Sequence, residues 1–173
     1  MQCWAALETA ATDGRHAWHT PALANVTDEG PAARTVVLRA ASGDARTLTC
    51  HTDTRSPKAL ALARDARVSW LFYDPIERVQ LRAEGTARLE TAGEAVERHW
   101  GTLRDSSQAL YGQSGTPGAP LEPGENAAAS RVHFLLLECT ITRLDWLQLR
   151  GTTHWRAHMS WNGTHWDAAW VNP

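Results

Sequence analysis

Apolar and polar residues alternate with a period of two along much of the chain, which is typical of half-buried β-strands. The clearest case is residues 78–89, where Val79, Leu81 and Ala83 share one predicted face and polar side chains occupy the other. Further strands are predicted over residues 34–39, 47–52, 68–73, 132–143, 145–149, 153–160 and 164–170. The Asn-Gly pair at residues 162–163 is the strongest hairpin signal in the chain.

Spacings of three and four residues predict short helices between the strands. They cover residues 1–13, 56–64, 91–100 and 105–110. The helices follow no regular β-α-β rhythm, so the predicted fold class is mostly β with flanking helices, an antiparallel barrel with helices packed on its outside. We expect residues 1–173 to form a single domain, with a mobile loop over the Gly- and Pro-rich residues 112–124.

Composition places the chain among ordinary globular proteins, since 43% of its 173 residues are hydrophobic, 21% are charged and the formal net charge is −2. No apolar run approaches the roughly 18 residues that a transmembrane helix needs, and no secretory signal is visible. Cys3, Cys50 and Cys139 are odd in number and widely spaced, which fits a reduced cytoplasm. We therefore expect a cytoplasmic protein with no nucleic-acid partner and no membrane partner.

A candidate phosphate site lies at the start of the second predicted helix. Ser56 is a favourable N-cap, Pro57 suits the first helical position, and Lys58 is the only lysine of the chain. A helix start with a nearby cation favours an anion, although capped helices beside a lysine are common in proteins that bind none. Arg34 and Arg39 are five residues apart, so strict alternation sends them to opposite faces of a strand. A ligand in a seam between strands or subunits would be within reach of both.

The histidines give no convincing metal site. His154 and His158 are four residues apart within a predicted strand, and no carboxylate lies at a useful spacing. We predict no metal ligands.

Six segments resemble, in order, the pyridoxamine 5'-phosphate oxidase family of FMN-binding split β-barrels. They are ARTVVLR (33–39), LTCHTDTRSPKA (48–59), RVQLRAEG (78–85), LRDSSQ (103–108), GQS (112–114) and DWLQLRGTTHWR (145–156). Each motif is loose alone, but six in order are fairly specific. The resemblance implies a homodimer with the cofactor FMN bound at the subunit interface.

The resemblance also implies which residues contact FMN and substrate. The expected FMN-binding residues are Arg34, Thr35, Val36, Val37, Leu38, Arg39, His51, Thr52, Ser56, Lys58, Gln80, Gln113, Ser114, Trp146 and Arg156. Arg39, Ser106 and His154 are the expected substrate-binding residues. A dianionic phosphate suits arginine and lysine, and the flavin ring suits flat apolar contacts together with hydrogen bonds.

The chain departs from the family pattern at several positions. Pro57 stands where the family usually has an arginine, and His51 replaces an aromatic hydroxyl residue. Arg98 and Thr102 occupy the positions where the family grips its substrate's phosphate with a tyrosine and an arginine, and Thr152 replaces a further arginine. A pocket that lacks two basic residues should bind pyridoxamine phosphate poorly, because each charge-assisted contact contributes about 1.5–3 kcal/mol.

The resemblance thus favours an FMN-dependent oxidoreductase that transfers hydride through flavin N5, with a small substrate that the sequence does not identify. Oxygen or a nicotinamide would be the other redox partner. A true pyridoxamine 5'-phosphate oxidase and a non-catalytic protein that stores or senses FMN remain alternatives, and haem binding is a weaker one.

Overall fold

The computed structural model describes residues 2–113, 115–120 and 130–173, and its main feature is a nine-stranded antiparallel sheet. The strands are β1 (Ala22–Thr27), β2 (Gly30–Thr35), β3 (Ala40–Ser42), β4 (Thr47–Asp53), β5 (Arg67–Asp74), β6 (Val79–Glu90), β7 (Phe134–Gln148), β8 (Trp155–Trp161) and β9 (Trp166–Val171). The helices are α1 (Gln2–Thr12), α2 (Pro57–Leu62), α3 (Glu94–Gly101) and α4 (Asp105–Ala109), with a 3-10 turn at Leu110–Gly112. The predicted class, mostly β with flanking helices, is confirmed. Within the described ranges, no helix has the length and hydropathy of a membrane span.

The strand order is β2-β1-β5-β6-β7-β4-β3, with β8 on β7 and β9 on β8. β6 pairs with β7 along one edge of that strand. Along the other edge, residues 134–140 of β7 pair with β4 and residues 143–148 pair with β8. The prediction of two strands over 132–143 and 145–149 was therefore wrong, because β7 is one continuous strand. A bulge opposite Gly85 shifts its register with β6 and lets the long strand bend.

The sequence did not predict the β1–β2 hairpin, and the strand predicted over 34–39 was wrong in its bounds. β2 ends at Thr35, and the next residues are held by single hydrogen bonds. The Val36 and Leu38 amides donate to the carbonyl oxygens of Pro21 and His19, both at 2.9 Å, and the Arg39 amide donates to Thr49 at 2.8 Å. The hairpin was missed because Gly30 and Pro31, read as turn residues, lie inside β2.

Two hydrophobic clusters fix the helices to the sheet. The main cluster buries α1 residues Trp4 and Leu7 against sheet residues that include Trp70 and Leu81. A smaller cluster packs Val96 of α3 against β7. Because helices or strands cover both faces of β7 at its start, residues 134–137 are apolar without alternation and all are buried.

Candidate functional site

A cavity of about 710 Å³ opens where β4 ends and α2 begins, and residues of the ranges 110–113 and 115–120 complete its lining. Five of the residues predicted to bind FMN line it: His51, Thr52, Ser56, Lys58 and Gln113. They come from three separate stretches of the sequence, and β4 and its turn into α2 bring them together. Ser114 lies outside the described residues.

The hydroxyl groups at the cavity wall are already engaged with the backbone. Ser56 Oγ donates to the Asp53 carbonyl oxygen at 2.8 Å, accepts from the Ala59 amide at 3.4 Å and lies 3.2 Å from Thr52 Oγ1. Ser56 is thus the N-cap of α2, as predicted. Because α2 has only six residues, the cations beside it are the stronger anion-binding feature.

Lys58 is a half-buried cation that forms no hydrogen bond or ion pair with any described residue. Burial lowers the pKa of Lys58, and the charge of Arg34 also lowers it, whereas Cys50 and Asp53 raise it. Arg34 itself donates to Asn25 Oδ1 and, at 3.2 Å, to the Leu23 carbonyl oxygen. A phosphate group beside these two neighbouring cations would offset their mutual repulsion.

Arg39 is exposed and does not line the cavity. Its side chain makes no hydrogen bond within the described part of the chain, yet its charge acts on His51, His99 and Tyr111. Arg34 lies in β2 and Arg39 lies between β2 and β3, so the prediction that alternation along a single strand sends them to opposite faces does not apply. Between them, Val36 and Leu38 are buried in the core and their amides already donate to Pro21 and His19, so neither their side chains nor their amides are available to a ligand. Thr35 is exposed and Val37 is half-buried.

Arg55, which the sequence analysis did not single out, joins the walls of the cavity. Its guanidinium binds both carboxylate oxygens of Asp53, and Nη1 donates to the Gln113 carbonyl oxygen at 2.8 Å. Burial raises the pKa of Asp53, but the hydrogen bonds from Arg55 outweigh it and hold the pKa below its ordinary value. This ion pair ties the segment that carries Gln113 to the end of β4.

Two further polar side chains were missed. His99 on α3 lies 3.0 Å from His51 between ring nitrogens, and Tyr111 lines the cavity. Helical spacing over 91–100 placed His99 on the apolar side of a helix, which was the available signal. Tyr111 lies in a 3-10 turn that periodicity does not reveal.

The remaining predicted FMN residues lie elsewhere on this protomer. Gln80 and Arg156 both pair with Leu147 of β7, so they share one face of the sheet. Trp146 points to the opposite face and lines a second cavity of about 640 Å³ beside α1. Arg156 donates to Asp145 at 3.0 and 2.8 Å, and Arg82 binds the same carboxylate.

The predicted substrate residues do not converge on this protomer. Ser106 on α4 and His154 before β8 are both exposed, and neither lines the cavity that holds His51. Across the described ranges, no group of three or more His, Cys, Asp or Glu side chains is arranged to hold a metal ion.

Comparison with known proteins identifies the class to which this fold and cavity belong. Residues 1–91 match the family model described as pyridoxamine 5'-phosphate oxidase, FMN-binding domain. The chain therefore belongs to this FMN-binding family, and both the predicted family and its cofactor are confirmed. No curated protein matches the chain.

Solved structures with the same fold cover nearly the whole chain. A pyridoxamine 5'-phosphate oxidase-related, FMN-binding protein from Nostoc punctiforme PCC 73102 is 26% identical, with a TM-score of 0.85 over 99% of this chain and 96% of that one. PhzG from Burkholderia lata 383, in complex with tetrahydrophenazine-1-carboxylic acid, is 18% identical, with a TM-score of 0.80 over 99% and 90%. A protein named F420 reductase is 16% identical, with a TM-score of 0.50 over 73% and 89%.

Proposed function

We propose that the protein is a homodimeric FMN-dependent oxidoreductase whose FMN site combines residues of two subunits. One observation carries the proposal: predicted FMN residues line the cavity beside Lys58, whereas Gln80 and Arg156 lie on a separate face of the sheet. A single protomer does not surround a flavin with both sets. In a dimer, the cavity of one subunit can face Gln80 and Arg156 of the partner subunit.

The phosphate end of FMN is proposed to lie beside Lys58 and Arg34. Lys58 has no anionic partner among the described residues, and Arg34 is oriented by Asn25. An FMN phosphate would supply the missing negative charge, and Thr52 lines the same cavity, whereas the Ser56 hydroxyl is engaged as the N-cap of α2. Thr35 and Val37 are the side chains of this segment that a ligand could reach. Trp146 lies on the opposite face of the sheet from Gln80 and Arg156, so it is not proposed as a contact.

The hydrogen bonds of residues 36–39 support a split barrel. They link the segment between β2 and β3 to the chain before β1 on one side and to β4 on the other. The two ends of the strand order, β2 and β3, are thereby connected through this segment. One core cluster that extends from Trp4 to Met159 supports a single domain.

The outer face of the sheet supports a dimer. Leu71 and Tyr73 of β5 are 40% and 49% exposed, and Tyr73 pairs with Gln80. Large apolar side chains beside a predicted cofactor contact are suited to a subunit interface. The family is typically dimeric, which agrees with this proposal.

FMN, when bound, supplies hydride transfer at flavin N5. The residues of this chain would orient the reactants, and Arg39, Ser106 and His154 are the proposed substrate contacts. The position of Arg98 does not favour pyridoxamine phosphate, because its guanidinium faces Glu94 at 3.5 Å on exposed α3. Thr102 donates its hydroxyl to the His99 carbonyl oxygen at 2.8 Å. We therefore propose a small substrate other than pyridoxamine phosphate.

Free cysteines support the proposed cytoplasmic location. Cys50 and Cys139 are buried and Cys3 is half-buried, and all three are unpaired thiols. Reduced thiols are typical of a reducing compartment.

An absorbance spectrum of the purified protein, with and without added FMN, tests the cofactor site, and light scattering tests the dimer. We expect flavin bands at one FMN per subunit and twice the mass of one chain. Anaerobic mixing with reduced nicotinamides then tests redox function, with bleaching of the flavin as the expected result. A colourless protein that gains no FMN, or a Soret band instead, would overturn the proposal. Bound flavin that no donor reduces would favour storage or sensing, and rapid peroxide formation from micromolar pyridoxamine phosphate would identify a true oxidase.

A further inference from the structure

His51 and His99 form a hydrogen-bonded pair at the wall of the candidate FMN cavity. Nε2 of His51 lies 3.0 Å from Nδ1 of His99, and the two rings are nearly perpendicular, at 87°. Phe134 packs on His51 with ring centroids 4.9 Å apart, which restricts rotation of the imidazole. The pair joins β4 to α3 and places His51 in a defined orientation.

The second ring nitrogen of His51 lacks a partner. Its Nδ1 is buried and makes no hydrogen bond within the described part of the chain, although His51 lines the cavity. Buried polar atoms in folded proteins are nearly always hydrogen-bonded, so an unpaired one beside a cavity indicates a ligand atom at that position. FMN is the cofactor of this family, and its phosphate oxygens and ring carbonyl oxygens are hydrogen-bond acceptors.

Both imidazoles are kept neutral by their surroundings. Burial lowers the pKa of His51 to about 3, and the charges of His99 and Arg39 act in the same direction. Burial also lowers the pKa of His99, together with Arg98 and Arg39 and against the opposing charge of Glu138. A neutral imidazole has one donor and one acceptor nitrogen, so the bond to His99 decides which of these roles Nδ1 of His51 takes.

We propose that His99 is a positioning residue that fixes the tautomer of His51 for cofactor binding. His99 donates from its Nδ1 to Nε2 of His51, and His51 therefore keeps its proton on Nδ1 and donates it to an acceptor atom of FMN. This inference rests on the proposed FMN site. It assigns a role to His99, for which the sequence motifs give none.

Nitrogen NMR on protein with ¹⁵N-labelled histidine rings tests the tautomer directly. The chain has eight histidines, and the signals of the pair are assigned by their loss in His51→Asn and His99→Asn. We expect His51 to carry its proton on Nδ1 before FMN is added, and the Nδ1 signal to shift on addition of FMN. A proton on Nε2 of His51 would overturn the inference.

Paired substitutions test the role of each nitrogen in FMN binding. The amide nitrogen of asparagine occupies nearly the position of histidine Nδ1, so His51→Asn and His99→Asn can retain the two donors. His51→Phe and His99→Leu remove them. We expect FMN affinity, measured by quenching of flavin fluorescence, to fall about tenfold in the Phe and Leu variants and much less in both Asn variants. Thermal unfolding without FMN shows whether each variant is folded.

The outcomes separate this inference from the proposed function. FMN binding by the wild-type protein with no shift of the His51 signals would overturn the role of the pair and leave the FMN site standing. Equal loss of affinity in the Asn and Leu variants of His99 would overturn the positioning role as well. No FMN binding by the wild-type protein would overturn both proposals, whatever tautomer the NMR shows.

Discussion

Arg55 binds both carboxylate oxygens of Asp53, at 3.0 and 2.8 Å, from a position only two residues later in the chain. The two side chains are 19% and 11% exposed, so this ion pair is better shielded than those on the surface. The same guanidinium reaches the carbonyl oxygen of Gln113. One arginine thus sets the distance between two walls of the candidate FMN cavity.

Substitution of Arg55 should weaken the attachment of the cavity segment that carries Gln113 to the end of β4. We expect Arg55→Met to lower the free energy of unfolding by about 1–2 kcal/mol, because it removes the side-chain hydrogen bonds to the Asp53 carboxylate and leaves only the one from the backbone amide of residue 55. Limited proteolysis should cut the variant faster within residues 110–120. Arg64→Met is the matched control, because the Arg64–Asp28 pair is largely exposed, at 69% and 81%. Equal protease resistance of wild type and Arg55→Met would contradict the role given to Arg55.

Lys58 should matter for FMN and little for folding. We expect Lys58→Met to weaken FMN binding about 10- to 100-fold, the effect of losing a charge-assisted contact to phosphate. Without FMN, the melting temperature should stay equal or rise, because the lysine is half-buried and unpaired among the described residues. Fluorescence titration and thermal unfolding measure the two effects. The control is Arg64→Met, which removes a cation of the same helical region and should leave FMN affinity unchanged. An equal loss of FMN affinity in this variant would contradict a local phosphate contact at Lys58.

Gly85 is required by the close approach of two backbones at the bulge. A Cβ added there would lie 1.9 Å from the carbonyl oxygen of Thr140. We expect Gly85→Ala to destabilise the fold by about 3 kcal/mol or more, since the neighbouring backbone would have to shift. Urea denaturation measures the change. Gly101→Ala, where a Cβ meets nothing within 4 Å, is the control and should be neutral or slightly stabilising. If Gly85→Ala destabilised the fold only slightly, β6 and β7 would be able to move apart at the bulge, and glycine would not be required there.

Asp145 should make stability depend on pH in acid. Hydrogen bonds from Arg156 outweigh burial and, with those from Arg82, lower the pKa of Asp145 to about 2. A carboxyl whose pKa is lower in the folded state stabilises the fold above its unfolded pKa of about 3.9, and this contribution disappears as pH falls toward 2. Arg82 is 41% exposed, so solvent screens its interaction with Asp145. We therefore expect Asp145 to contribute about 1–2 kcal/mol to the free energy of unfolding, which is less than the pKa shift alone would give.

Urea unfolding at pH 7, 4 and 2.5 checks this expectation. Asp145→Asn should be less stable than wild type at pH 7, and the difference should shrink at pH 2.5. Asp65→Asn is the comparison, because its partner Arg67 is 75% exposed and solvent screens the pair. A difference between wild type and Asp145→Asn that stays constant across this pH range would rule out the titration of Asp145 as its cause.

The proposed dimer predicts that FMN binding and association fail together. Leu71→Arg places a second positive charge opposite Arg82 on the outer face that also carries Tyr73 and Gln80, so we expect a monomer that binds FMN at least tenfold more weakly. Ile76→Arg, at a turn residue that is 83% exposed, should remain dimeric and bind FMN normally. Light scattering and flavin titration on the same samples provide the readouts. A monomeric Leu71→Arg variant with full FMN affinity would refute an interfacial cofactor.

Local patterns predicted the parts of the fold that depend on neighbours in sequence. Alternation predicted β6, and the Ser-Pro-Lys start predicted α2 with its N-cap. The β1–β2 hairpin was missed because Gly30 and Pro31 were interpreted as turn residues and because the alanine-rich β1 is held by pairing with β5 rather than by β-propensity. Of the residues predicted for the site, those near α2 line one cavity. Tyr111 lines the same cavity and His99 contacts His51 through tertiary packing that no local pattern encodes.

The bulge at Thr142 has a consequence for insertions and deletions in this family member. It is the extra residue between the half of β7 that pairs with β4 and the half that pairs with β8. Removing it would invert the inside and outside of everything downstream, forcing the Asp145–Arg156 pair toward the interior and turning Leu144 and Met159 out to water. Residues 143–173 should therefore tolerate changes of side chain far better than a change of length by one at the bulge.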